Sequence, residues 1–109
     1  GLQHVAINLI KNATDAMPKG GKLEVSTRIT DSVVEIIFKD TGSGIAADIQ
    51  GGVFEPFFTT KSIGKGTGLG LAICKEIVGK YEGEIKLDSA QDSGTAFIVS
   101  IPRRHLENA

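Results

Sequence analysis

The chain has 109 residues, enough for one domain with one core and too few for two. Hydrophobic content of 40%, charged content of 23% and a formal net charge of -1 describe an ordinary globular protein. The charge gives no sign of a nucleic-acid or membrane footprint, and no apolar run along the sequence approaches the roughly 20 residues that a membrane span needs. One cysteine, Cys74, rules out an internal disulfide framework and fits a reducing, cytoplasmic compartment.

Leu2 to Met17 is predicted as an amphipathic helix. Leu2, Val5, Ala6, Leu9, Ile10, Ala13, Ala16 and Met17 recur at the spacing of a buried stripe, and His4, Asn8, Lys11, Asn12 and Asp15 take the other face. Pro18 and the Gly20-Gly21 pair stop it. A chain that opens directly on such a helix reads as a piece of something longer. Leu23 to Ile29 alternates as a strand, Thr30 to Ser32 turns, and Val33 to Asp40 forms a second strand. On that strand Asp40 shares its parity with Val34, Ile36 and Phe38, so it points where three apolar side chains point. Such a carboxylate either receives a ligand or caps the DTGSG loop that follows.

Gly42 and Gly44 break the strand, and Ile45 to Gln50 has room for a short helical turn. An aromatic, Pro-containing segment from Phe54 then enters a loop with glycine at every second position: Gly64, Gly66, Gly68 and Gly70. A helix is predicted from about Gly68 to Tyr81. One apolar row on it is Leu69, Ala72, Ile73 and Ile77, and the other is Leu71, Cys74, Val78 and Tyr81; with both rows packed, the helix is largely buried. Cys74 is read as a packing residue. Glu84 to Asp88 and Thr95 to Ile101 are the third and fourth strands, and the polar stretch 103–109 is a tail beyond a domain of residues 1–102. This order predicts an α/β (α+β) two-layer sandwich, with a mainly antiparallel mixed sheet and helices stacked on one face. The strand–helix alternation of a doubly wound nucleotide fold is missing.

The glycine loop carries the first chemical signal. No acidic residue lies between Pro56 and Lys75, while Lys61, Lys65 and Lys75 are basic, and the loop opens a helix whose first N–H groups lack partners. These are the requirements of an anionic, phosphate-bearing ligand. The run GKGTGLGL lacks the Lys-Ser/Thr ending of a P-loop, and a glycine pattern alone also fits a plain mobile loop. Asn8 and Asn12 stand at i and i+4, so their amides project together; they suit either solvent or a hard cation such as Mg²⁺, which takes few protein oxygens and the rest from phosphate and water. Asp40 can accept from an exocyclic amino group, which adenine has and guanine lacks at that edge.

Four ordered stretches carry a resemblance. NLIKNA (8–13), DTGSG (40–44), FEPFF (54–58) and GTGLGL (66–71) resemble the N box, first glycine box, F box and second glycine box of the catalytic ATP-binding domain of bacterial sensor histidine kinases. The resemblance implies the Bergerat ATP-binding fold shared with gyrase, mismatch-repair ATPases and a heat-shock chaperone family. It implies that Asn12 holds Mg²⁺, that Asn8 sits beside the phosphates, and that Asp40 reads the adenine amino group with support from Thr95. Residues 54–66 would be the ATP lid, of the short kind found in nitrogen-regulation-type kinases, with Lys61 and Lys65 able to reach the phosphates. The implied ATP contacts further include Asp15, Ala16, Gly42, Gly44, Ile45, Phe57, Thr60, Gly66, Thr67, Gly68, Leu69, Gly70 and Leu71. The position of Asp15 is often basic in related kinases; a carboxylate there needs a cation or a lysine between it and the phosphates.

One position separates the branches of this family. ATP-hydrolysing relatives place a Glu four residues before the metal Asn as general base, and here that residue is Asn8, whose amide cannot take a proton. The expected activity is transfer of the γ-phosphoryl group of Mg-ATP to a histidine. Neither His4 nor His105 sits in an acceptor motif, so the acceptor is expected on a dimerisation domain outside this chain, with a response regulator downstream and no self-labelling by the chain alone. The alternatives are an ATPase of the same fold and a module that binds ATP and changes partners without chemistry.

Overall fold

The computed structural model describes residues 1–42, 52, 70–89 and 94–104. Among them stand helix α1 (Leu2–Asp15), strands β1 (Leu23–Ile29) and β2 (Val33–Asp40), helix α2 (Gly70–Lys80), and strands β3 (Glu84–Ser89) and β4 (Thr95–Pro102). The strands form one sheet in the order β1-β2-β4-β3, and each neighbouring pair is antiparallel, so the sheet is not mixed among the described residues. Chain-adjacent β2 and β3 are not neighbours, because β4 inserts between them. That insertion sets Asp40 directly across from Thr95.

Both helices pack on one face of the sheet. Val5 and Leu9 of α1 and Cys74 and Val78 of α2 meet Phe38 of β2 and Phe97, Val99 and Ile101 of β4 in a single buried cluster. Each apolar side chain so enclosed contributes about 1.5–3 kcal/mol of burial free energy. The opposite face is polar at its middle: Glu35 accepts from Arg28 Nε at 2.8 Å across β1 and β2, and from Ser100 Oγ at 3.3 Å across β2 and β4.

Three expectations are corrected. Helix α1 ends at Asp15 rather than Met17, because the Ala16 N–H already bridges the Asn12 and Ala13 carbonyls (3.0 and 3.2 Å) and closes the last turn. Ile10 does not belong to the buried stripe; it is 40% exposed, since the described elements cover α1 only along Val5, Leu9 and Ala13. On α2 only Cys74 and Val78 are fully enclosed, while Leu71, Ala72, Ile73, Ile77 and the following Tyr81 are half-buried, so the helix is not buried all round. Edge strand β1 is likewise open, with Val25 and Ile29 exposed on the face that the helices share.

Candidate nucleotide site

Asp40 ends β2 with its side chain on the helix-covered face, only 5% exposed. Its Oδ1 accepts from the Gly42 N–H at 2.8 Å, the turn-capping bond that its place before a glycine loop allows. Capping and ligand recognition are therefore compatible, because a carboxylate has a second oxygen, and Oδ2 has no hydrogen-bond partner among the described residues. Thr41 extends the β1–β2 ladder one step past Asp40: its N–H donates to the Lys22 carbonyl at 3.1 Å and its Oγ1 accepts from Lys22 N–H at 3.0 Å.

Thr95 opens β4 opposite Asp40, 6% exposed, on the same face. Its Oγ1 lies 2.9 Å from Ser89 Oγ, and Ser89 Oγ donates to the Gly94 carbonyl at 2.9 Å. Ser89, Thr95 and Asp40 thus form one row across β3, β4 and β2. Gly94 adopts φ +83°, and a Cβ there would stand 2.3 Å from the Asp40 carbonyl oxygen, so only glycine fits the approach to this row.

Asn8 and Asn12 are both half-buried on α1. The Asn8 Nδ2 is sealed from solvent and meets no full-strength acceptor among the described residues. It faces the Cys74 thiol of α2, a weak acceptor. Burial pushes the Cys74 thiol up to about 11, the Asn8 amide pulling the other way; the thiol itself donates to the Val5 carbonyl at 3.8 Å. A fully buried, protonated thiol is a packing group rather than a nucleophile.

At the end of α1, Ala16 is half-buried and Asp15 exposed. Gly42 rests against that end: a Cβ on it would come within 2.7 Å of the Ala16 carbonyl oxygen. Gly70 begins α2, whose first turn holds no acidic residue, and Leu71 is half-buried behind it. Gly44, Ile45, Phe57, Thr60, Lys61, Lys65, Gly66, Thr67, Gly68 and Leu69 lie outside the described residues. A depression lined by Asp31, Ser32, Pro102, Arg103 and Arg104 sits at the opposite end of β2 and β4 from Asp40 and Thr95, away from this chemistry.

Sequence reasoning missed two members of this arrangement. Ser89 was legible, since it continues the parity of Ile85 and Leu87 one step past the expected strand end at Asp88. The contact of Cys74 with Asn8 was not, because it depends on how two helices far apart in sequence meet.

The family described as histidine kinase-, DNA gyrase B-, and HSP90-like ATPase matches residues 1–105. Sporulation kinase C of Bacillus subtilis (strain 168) is 44% identical over 101 residues, covering 93% of this chain and 23% of that protein. Sensor kinase CckA of Brucella abortus (strain 2308) is 41% identical over 116 residues, covering 93% of this chain and 12% of the relative. The chain therefore spans only a small part of the curated relatives it matches. Among solved structures, the mycobacterial sensor histidine kinase MprB superposes with a TM-score of 0.81 at 34% identity, covering 91% of this chain and 70% of that one. A nucleotide-free catalytic domain of histidine kinase ThkA gives 0.81 at 34% identity, covering 93% and 66%.

Proposed function

The chain belongs to the histidine kinase-, DNA gyrase B-, and HSP90-like ATPase family, as the ATP-binding domain of a sensor histidine kinase, and on that premise we propose that it donates the γ-phosphoryl group of Mg-ATP to a histidine. The acceptor lies on a dimerisation domain of the full-length kinase, and a response regulator receives the group afterwards. Adenine enters at Asp40 and Thr95, and the phosphates lie between the polar face of α1 and the N-terminus of α2. Gly66 to Leu71 and the lysines Lys61 and Lys65 complete the phosphate side. No helix among the described residues is long and apolar enough to cross a membrane.

Residue 8 is the observation that carries transfer over hydrolysis. An Asn stands four residues before Asn12, half-buried with its amine turned toward Cys74, and an amide cannot act as general base toward water. Asn12 is half-buried on α1, one turn after Asn8, and its amide oxygen is a hard donor that would hold Mg²⁺ while leaving the remaining positions to phosphate and water. When bound, Mg²⁺ supplies charge neutralisation at the phosphates. The chain's own residues then orient the nucleotide, hold its base and withhold a base from water, which is most of what phosphoryl transfer asks of a protein.

Incubation of the full-length protein with γ-labelled ATP tests this reading. Acid-labile label on a histidine other than His4 is expected, and an Asn12→Ala variant should bind ATP without Mg²⁺ dependence. Steady phosphate release with no labelled histidine would assign the chain to the ATPases, and binding with neither outcome would make it an interaction module.

A further inference from the structure

We infer that Asp15 makes a divalent cation obligatory for the nucleotide: its carboxylate shares a ridge of α1 with Asn8 and Asn12, repels bare phosphates and admits them as the magnesium complex. This rests on the reading of the polar face of α1 and the N-terminus of α2 as the phosphate end.

Helix geometry places the carboxylate. With 3.6 residues per turn, Asp15 lies about 20° around α1 from Asn8 and about 60° from Asn12. Asn8 faces Cys74, so this ridge looks toward α2. The two helices run antiparallel: Asn8 meets Cys74, and at the foot of α1 a Cβ on Gly1 would stand 4.0 Å from the Tyr81 hydroxyl. Followed the other way, the same pairing brings Asn12 level with Gly70, where α2 begins, and Asp15 one turn beyond it. Burial falls along the ridge, since Asn8 and Asn12 are half-buried and Asp15 is exposed. The carboxylate therefore stands at the mouth, on the path of any anion that reaches the first N–H groups of α2.

Its charge is placed against the stability of its own helix. Asp15 is the last residue of α1, where the helix dipole is negative, and the last turn holds no basic residue. Lys11 stands one turn earlier, but a base four residues before an acid is the weaker order for such a pair. Toward a bare phosphate, the carboxylate and the helix end repel in the same sense. Toward a phosphate that carries a cation, both attract. Asn12, its neighbour on the ridge, supplies the hard oxygen that such a cation takes from protein.

Full-length protein is titrated calorimetrically with the β,γ-imido analogue of ATP, which cannot pass on its terminal group. One series contains excess Mg²⁺ and the other EDTA, both at low salt, because an exposed charge is screened. Asp15→Asn should narrow the ratio of the two affinities about tenfold by tightening the Mg²⁺-free form, and Asp15→Lys should narrow it further. The difference between native protein and Asp15→Asn should shrink at about 0.5 M salt, which a purely structural role would not produce. An unchanged ratio in Asp15→Asn overturns the inference, and so does an equal change in both forms. A lower melting temperature without nucleotide, beside an unchanged ratio, would assign Asp15 to Lys11 and overturn it too. If Asp15→Asn does not fold, Asp15→Lys decides in its place by the same ratio. Asn12→Ala separates the two levels. If it leaves the Mg²⁺ dependence intact, the reading of the cation end itself fails; if it removes that dependence while Asp15→Asn does not narrow it, only the role of Asp15 fails.

Discussion

Replacing Asp40 by Asn probes the proposed base-binding end while changing almost no volume. In the native chain Oδ1 accepts from Gly42 N–H at 2.8 Å, and the side chain is 5% exposed. An amide has one accepting and one donating end. If its oxygen stays on Gly42, its NH₂ meets the adenine amino group donor to donor; if it flips, Gly42 loses its cap. Either arrangement forfeits one hydrogen bond to a charged group, worth about 1.5–3 kcal/mol. At about 1.4 kcal/mol per decade this weakens ATP binding roughly 10- to 150-fold. Calorimetric titration with ATP and GTP, beside thermal unfolding without nucleotide, measures both sides of the reckoning. ATP affinity should fall at least tenfold, GTP should be unaffected or gain, and the unfolding midpoint should stay within about 5 °C. ATP affinity within threefold of native would refute the assignment of Asp40 to the base.

Two further substitutions address the frame around the site. Gly94→Ala forces a side chain onto φ +83° with its Cβ 2.3 Å from the Asp40 carbonyl oxygen. The backbone conformation alone should cost about 1–2 kcal/mol, read as a lower urea midpoint, and an unaltered midpoint would contradict the close approach. Cys74 gives a pH dependence. Burial raises its thiol from an ordinary 9.0 to about 11, so above pH 9 the unfolded chain has lost a proton that the folded chain keeps. Stability is thus unaffected below about pH 8.5 and falls as pH rises toward 11, by up to roughly 3 kcal/mol, a decline that Cys74→Val should lack. A stability difference between the two proteins that stays flat from pH 8 to 11 would show the thiol to be solvated.

The strands β1 and β2 were legible to the residue, because alternation is bounded sharply by the Gly20-Gly21 pair and the Thr30–Ser32 turn. Helix α1 was over-extended by two residues, since Pro18 and the glycines mark where a helix can no longer continue rather than where its last turn closes. Ile10 was misplaced because periodicity gives the direction of an apolar stripe, while its width depends on which neighbours cover it. The strand order lay beyond reach. Chain-adjacent β2 and β3 are parted by β4, and the row Asp40, Thr95, Ser89 exists only through that insertion. Asp40 stood out through its parity, and Thr95 entered through the family resemblance. Ser89 shares the parity of Ile85 and Leu87, but its place beside Thr95 needed the register.

The contact between Gly42 and the end of α1 has a consequence for ligand size. A Cβ on Gly42 would meet the Ala16 carbonyl oxygen at 2.7 Å and Asp40 Oδ1 at 3.0 Å, so strand exit and helix end touch through bare backbone. Asn12 stands one turn before Ala16 and accepts its N–H at 3.0 Å. Among the described residues, the proposed base end at Asp40 and the proposed cation end at Asn12 are therefore joined through main chain at Gly42 and Ala16, a gauge set by backbone contact. Such a gauge measures the ribose that joins base to phosphates: a nucleotide with a longer or shorter linker would have to release one end to satisfy the other.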